Sequence, residues 1–540
     1  MKRIILSSLL ALTVAVTTLA QQFAVIETPD GQTFIPVEDI KSITYESDPS
    51  FPERLLPVVL SHDSRIQIFS QALRATGLAD SLTAYFDPAY SAEGIRGGYL
   101  VMRAYPGRSM AFIENLPVVR KRLFTVFVET DSVLAAHGIR NLDDLKRYAS
   151  SIYDEVYPND AAVPDPTDRR NALNRFVAYH LLPFGSDDST LTADPTFFIR
   201  DIADVSDWYE TLMPGACLKC SRPDGSEAGL YLNRRGVQDR ADKYGMKIRG
   251  AKIIPGADGT LTQKAFNGAY FYIDDLLTYG TQTQTQVLNE RWRIDMVTLS
   301  PDIMNNMTRK NIEYNNSDCA IYTVLLPSNH QNIQISDNCS ALVVSPYNYV
   351  MWDYGGDELM VATEDYNFEV AMKLPPLPEG DWELRYGMCF PLAGLLAKVV
   401  FRINDVAVGD TLVAEEYVGE KAESNIERFG WRDGLPADEQ AAANRELRSH
   451  GWMKAPAEYA TSTTCENYRS DENSLAMSHQ KELLRRIVGR VHSDGQTPIW
   501  LTVQMITYGE MYHWKYRPVQ FDYIECCPTW IADSEEIPED

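Results

Sequence analysis

The apolar residues of this 540-residue chain change their period along its length, and that change limits what the chain can fold into. In residues 171–184 (NALNRFVAYHLLPF), Leu173, Phe176, Val177 and His180 fall at i, i+3, i+4 and i+7, one face of a helix. Pro183 cannot continue a helix interior, so the helix stops there. Tyr179 and His180 then occupy its last turn, where an imidazole meets the negative end of the helix dipole. Much later, Tyr366, Phe368, Val370 and Met372 alternate with polar residues. So do Trp382, Leu384, Tyr386 and Met388, then Val399, Phe401 and Ile403, then Leu501, Val503 and Met505. Period two means half-buried antiparallel strands. With turns at Gly380-Asp381 and Asn404-Asp405, the spacing points to a β-sandwich. A length of 540 residues allows two to four domains at roughly 150 residues each.

Taken in order, the chain opens with Lys2 and Arg3, an apolar run over 4–16, and small residues up to Ala20. This reads as a secretory signal (1–20), too short for a membrane span. β-type runs at 23–26 and 33–37 around Asp30-Gly31 predict a hairpin within a small segment, 21–51, that ends in a linker. Helical periodicity covers 55–85, with Gly77 near a C-cap. Residues 124–128 read as a strand buried on both faces. Thr130 and Asp131 supply a capping hydroxyl and a carboxylate to a helix over 132–137, and 141–157 is a further helix. Strands are expected at 218–221, 230–232, 247–254 and 268–273. A transition segment spans 287–316. The β-rich part spans 317–531 and is interrupted by a polar insertion at about 415–479, with a helix over 436–451 flanked by Pro and Gly.

Formal net charge is -25. A chain so acidic repels phosphate backbones and anionic bilayers, which excludes nucleic acid as an expected partner. No stretch after the signal is long and apolar enough for an integral membrane span. The expected place is outside the cytoplasm: periplasm, cell surface or extracellular space. Eight cysteines permit 105 pairings, and the sequence chooses none.

Three separated stretches carry a family resemblance: LFTVFVETDSV (123–133), the Tyr179-His180 pair, and NGAYFYIDDLL (267–277). They resemble the signature of the fasciclin-like domain, with Phe124, Thr130 and Asp131 in the first motif and Gly268, Ile273 and Asp274 in the last. The resemblance covers 52–286. It implies an α+β fasciclin-like domain, followed here by an antiparallel, jelly-roll-like β-sandwich. Residues 521–528 (FDYIECCP) are similar to the last strand of galactose-binding-like jelly rolls. In the fasciclin-like family the Tyr-His pair is associated with adhesion and with the integrity of the fold, and that carries over to Tyr179 and His180. The implied function is non-catalytic adhesion or recognition at the cell envelope, with a protein or polysaccharide as ligand and no cofactor.

Catalytic use of His180 needs an orienting partner and a reacting group, and its sequence neighbours supply neither. Cys217 and Cys220 form a CxxC, but in a β-type stretch rather than at a helix start, so they read as idle strand cysteines. Asp274 and Asp275 are adjacent, hence point apart on an extended chain, and Asp274 is assigned to turn or cap hydrogen bonding. No metal site is expected. Trp382 and Tyr386 read as core, whereas Trp352 and Trp514 are the candidate glycan contacts. The rival reading is an accessory or catalytic carbohydrate-active envelope protein whose sandwich binds glycans.

Overall fold

The computed structural model describes residues 4–5, 23–28, 31–36, 51–90, 113–114, 120–193, 204–223, 225–236, 247–305, 322–326, 329–336, 339–345, 358–363, 367–388, 397–414, 435–454, 484–507 and 519–535. The expected hairpin forms, Phe23–Thr28 pairing antiparallel with Gly31–Pro36. Ile4–Ile5 pairs with its first strand.

Beyond the hairpin the molecule is mixed α and β. Short helices Leu56–His62, Gln67–Ala75 and Leu78–Ser81 come first. Gly77 takes φ +70° between the last two, a left-handed position that glycine reaches without a Cβ clash. The strand Phe124–Glu129 follows, buried at every residue. Helices Asp131–Ala136, Leu142–Val156 and Ala172–Tyr179 come next, capped by the side chains of Thr130, Asn141 and Asn171. The last helix ends before Pro183, because Leu181–Leu182 turn outward to pair with Thr125 and Val126.

An eight-stranded sheet underlies these helices. Its order runs Leu181–Leu182, Phe124–Glu129, Gly268–Ile273, Ala251–Ile254, Tyr231–Leu232, Cys217–Pro223, Asp204–Glu210, with Gln263–Ala265 beside Gly268–Ile273. Only Phe124–Glu129 and Gly268–Ile273 pair in parallel, in unbroken register from Phe124↔Gly268 to Glu129↔Ile273. The Asp204–Glu210 strand (DVSDWYE) was not anticipated, since acidic residues break its apolar pattern.

The period-two stretches form two facing antiparallel sheets, a sandwich-like arrangement. One has the order Trp292–Asp295, Tyr523–Pro528, Gly380–Met388, Leu484–Ser493, Trp452–Lys454. The other contains Phe368–Lys373, Trp500–Thr507, Ala397–Ile403 and Val406–Ala414. Inward residues meet between them: Tyr386 lies 6.1 Å from Phe401, ring to ring, and it also meets Phe521 of a further sheet at 5.7 Å. Trp382 and Tyr386 are core, as their alternation implies. The helix expected at 436–451 is Ala437–Ser449, with Pro436 as N-cap and Gly451 left-handed just past its end. A third antiparallel sheet, Glu358–Thr363 among its strands, takes in Ile113–Glu114 from the first half, parallel to Tyr322–Leu326.

The two regions share one core. Trp208 stacks on Trp292 at 5.8 Å and 12°, and Trp292 meets Trp382 edge-on at 5.5 Å. Lys373 Nζ bonds Glu210 Oε1 at 2.6 Å across the same junction. Trp292–Asp295, which the sequence placed in a transition segment, is a strand of the sandwich, and Leu288, Trp292, Ile294 and Val297 around it are buried.

The outward face of the Gly380–Met388 strand is charged yet covered. Glu383, Arg385, Arg485, Glu525 and the Glu535 side chain form a buried ionic cluster with Arg291, Arg293 and Arg448. Burial alone would raise the Glu535 carboxyl, but Arg291 and Arg385 bring it down from its ordinary 4.5 to about 2. A carboxyl lowered on folding stabilises the native state fully above its unfolded pKa and loses that contribution as pH falls through the folded one. Stability should therefore fall between pH 4.5 and about 2. Glu535→Gln should flatten that slope in melting curves recorded across the window; an unchanged slope would exclude Glu535 as its source.

Gly268 gives a second expectation. It has φ +146°, and an added Cβ would sit 1.9 Å from the Phe124 carbonyl oxygen. Gly268→Ala should cost about 3 kcal/mol or more, through strain and a split parallel ladder. Gly138, at φ +81° with nothing within 4 Å of an added Cβ, should lose only about 1–2 kcal/mol as Ala. Thermal unfolding of the two variants side by side checks this ranking.

Candidate functional site

The three resembling stretches meet at one end of the parallel ladder. His180 ends its helix fully buried, between the rings of Phe176 at 4.5 Å and Phe69 at 5.3 Å. Its Nδ1 lies 2.7 Å from the Phe176 carbonyl oxygen, an acceptor only, so Nδ1 carries a proton. This is the imidazole-to-helix-end contact that the sequence position predicts. Its Nε2 lies 3.0 Å from Glu129 Oε1, and both side chains have no exposed surface. One proton holds that contact, on either atom, and in both arrangements the pair is neutral overall. Glu129 Oε1 also accepts from the Leu277 backbone N–H at 3.1 Å, tying the last residue of one parallel strand to the exit of the other.

Tyr179 points the other way, toward the sheet. Its hydroxyl donates to the Cys217 carbonyl at 3.0 Å and accepts from Asn233 Nδ2 at 2.9 Å. Burial pushes the hydroxyl's pKa well above its ordinary value. The Tyr179 and Tyr279 rings lie 5.3 Å apart.

At the opposite end of the ladder Asn267 is fully buried. Its Oδ1 accepts from Leu56 N at 2.9 Å, at the start of the first helix, and its Nδ2 donates to Leu82 O at 2.5 Å. Its backbone oxygen accepts from Phe124 N at 3.0 Å. Thr130 caps its own helix through Val133 N at 3.3 Å, as expected. Asp131 does more than sit at a helix start. Its carboxylate accepts from Gln67 N at 3.1 Å and Ile68 N at 3.0 Å, capping Gln67–Ala75, whose own N-cap residue Ile66 has no capping side chain.

Asp274 Oδ1 accepts from Lys252 N at 2.8 Å and from Arg249 Nη1 at 3.1 Å, closing the end of two strands. Its neighbour Asp275 faces His137 at 3.1 Å, so the two carboxylates part as an extended chain requires. A further cluster joins the loop before Gln67–Ala75 to the Gly268–Ile273 strand. Tyr272 donates to Asp63 and accepts from Arg65, while Tyr270 donates to Asp63 at 3.2 Å. Burial would raise the Asp63 carboxyl, but the Tyr272 hydroxyl and Arg65 hold it below its ordinary value. Arg65 lies 4.2 Å above the Tyr272 ring.

These side chains can fix the ladder, but His180 and Tyr179 present nothing to a solute. Cys217 and Cys220 are buried, and burial pushes the Cys217 thiol up, away from the reactive thiolate. Among the described residues no group of three or more His, Cys, Asp or Glu stands close enough to hold a metal ion. Trp352 and Trp514 lie outside the described residues. Glu129, Asn267, Asn233 and Asp63 were not singled out from the sequence. The signal for two of them was present: one acid closing an otherwise apolar strand, and an Asn immediately before Gly268.

Compared with known proteins, the chain matches no family model and no curated protein. Among solved structures, the insecticidal crystal protein Cry2Aa aligns with 74% of this chain and 69% of its own, at 9% identity and a TM-score of 0.17. At that score the likeness carries no argument about fold or function.

His180→Ala should cost about 3–5 kcal/mol, because it strands a buried carboxyl and opens a cavity. Tyr179→Phe should cost less, about 1–3 kcal/mol, because it takes a buried hydroxyl away from the Cys217 carbonyl and the Asn233 amide. Thermal unfolding of the whole chain measures both, and an unmoved melting curve for His180→Ala would refute the structural role.

Proposed function

We propose that this chain is an exported, non-catalytic recognition protein of the cell envelope. In this reading residues 52–286 form a fasciclin-like domain, the sandwich is of the jelly-roll kind, and the ligand is a protein or polysaccharide. The observation that supports it is convergence: the three stretches that resemble the fasciclin-like signature share the Phe124–Glu129 and Gly268–Ile273 ladder and its two buried polar ends. Residues from stretches so far apart in sequence hold the same few atoms, and this supports reading them together as one motif set.

In this reading Tyr179 and His180 serve adhesion by keeping the fold, because neither side chain is accessible. The ligand then meets other surface. Among the described residues, no helix is long and apolar enough to cross a membrane.

The test is binding of the purified mature chain to a glycan array and to immobilised envelope proteins. Adhesion that survives in His180→Ala below its melting temperature fits the reading. Loss of binding in a variant whose melting is unmoved would place His180 on the contact surface. Release of reducing ends from a polysaccharide would replace the reading with a carbohydrate-active enzyme. Export itself should yield a mature N-terminus at Gln21, read directly by N-terminal sequencing of protein outside the cytoplasm.

A further inference from the structure

Three arginines from separate elements close on one carboxylate in the sandwich-like region. Arg385, on the Gly380–Met388 strand, faces Glu535 end-on, with Nη1 3.2 Å from Oε1 and Nη2 2.5 Å from Oε2. Arg291, ahead of the Trp292–Asp295 strand, donates to Oε1. Arg448, on the Ala437–Ser449 helix, donates to Oε2 at 3.2 Å. Each oxygen therefore receives two guanidinium donors, and the pair of oxygens lies along the fork of Arg385. A planar two-oxygen anion satisfies that pattern, and guanidinium forks recognise carboxylates in this way.

Arg385 and Arg448 are held in place without Glu535, and Arg291 keeps an ion-pair contact with Glu525. Arg385 also bonds Glu383 Oε1 at 2.9 Å and Glu525 Oε1 at 2.6 Å. Arg448 bonds both oxygens of Glu383 at 2.8 and 2.9 Å, and Arg291 lies 3.9 Å from Glu525. Glu383 and Glu525 are themselves on paired strands. Glu535 differs: it follows the short helix Thr529–Ala532 and lies on no strand or helix. Two residues before it, Asp533 meets Arg490 at the rim, where their side chains are 60% and 50% exposed. The walls thus come from a strand, a helix and the approach to a second strand, and the carboxylate comes from a loop at the edge of solvent.

We propose that Arg291, Arg385 and Arg448 form a carboxylate-binding cage in which Glu535 is a built-in ligand, and that a small organic carboxylate takes the same place once that side chain is gone. The inference is independent of the adhesion reading. In the intact chain an external carboxylate competes with an internal one whose effective concentration is at least about millimolar, so the intact chain should respond only weakly.

The experiment follows thermal unfolding of the full chain, Glu535→Ala and Glu535→Gln during titration with propionate at constant ionic strength, with sodium chloride as the balancing salt. Glu535→Ala should melt lower than the intact chain and recover most of the loss in a saturable way as propionate is added. Glu535→Gln keeps the volume, leaves no room for propionate and should show no saturable gain, whereas Glu535→Ser, which also vacates the place, serves if the Ala variant does not fold. Arg448→Ala in the Glu535→Ala background should weaken the propionate response at least tenfold in midpoint concentration. A folded Glu535→Ala or Glu535→Ser with no saturable response overturns the proposal, as does a response equal with and without Arg448. Sulfate acting as well as propionate would overturn the assignment to planar carboxylates.

Discussion

The parallel ladder between Phe124–Glu129 and Gly268–Ile273 is the constraint on which the first half depends. Parallel strands cannot be joined by a hairpin, so everything between them must leave the sheet and return. The intervening chain supplies the helices Asp131–Ala136, Leu142–Val156 and Ala172–Tyr179 and the antiparallel strands of the sheet. The ladder is buried at every residue but Gly268, and its polar ends must be satisfied internally. Asn267 does this at one end by bonding the start of one helix and the exit of another. Glu129 and His180 do it at the other end, where a helix C-terminus, a strand end and the loop at Leu277 share a few atoms. A residue without the right donors or acceptors at any of these points leaves a buried group unpaired. That accounts for exacting residue choice in stretches far apart along the chain.

The second half solves a different problem. One face of its Gly380–Met388 strand packs Trp382, Leu384 and Tyr386 into the sandwich core. The other face carries Glu383 and Arg385, and it is covered as well. Covered charges are tolerated only when paired and hydrogen-bonded, and here opposite charges interlock across three strands and a helix. The halves are joined by apolar contact as well as by charge: Trp208 stacks on Trp292, which meets Trp382 edge-on, beside the Lys373–Glu210 pair.

Much of this was legible in the sequence wherever one physical period dominated. The 3.6-residue pattern ending at His180, the alternating strands at 368–372, 382–386 and 399–403, and the Pro436 and Gly451 helix borders all appear where local pattern places them. The strand Asp204–Glu210 was illegible because its acids are answered by distant partners, Lys373 for Glu210 and the Ala193 N–H for Asp207. The same holds for Asp131. Locally it reads as the first-turn acid of its own helix, yet its carboxylate caps a helix that begins at Gln67. Glu129 reads as a strand end until His180 is seen beside it. Local propensity is visible in a sequence, whereas a side chain whose partner lies in another element is visible only once the topology is known.

The position of the Tyr523–Pro528 strand has a consequence for how the protein is made. It lies between Trp292–Asp295 and Gly380–Met388, both of which leave the ribosome well before it. Until it arrives, each of those strands has an edge with unpaired N–H and C=O groups, and the acid that Arg385, Arg485 and Arg293 share is missing. A nascent chain at this stage resembles a sheet with its middle plank removed, open to pairing with a neighbouring chain. Completion of this region is therefore a late, nearly all-at-once event, and premature termination shortly before residue 523 should be far more aggregation-prone than its small loss of length implies.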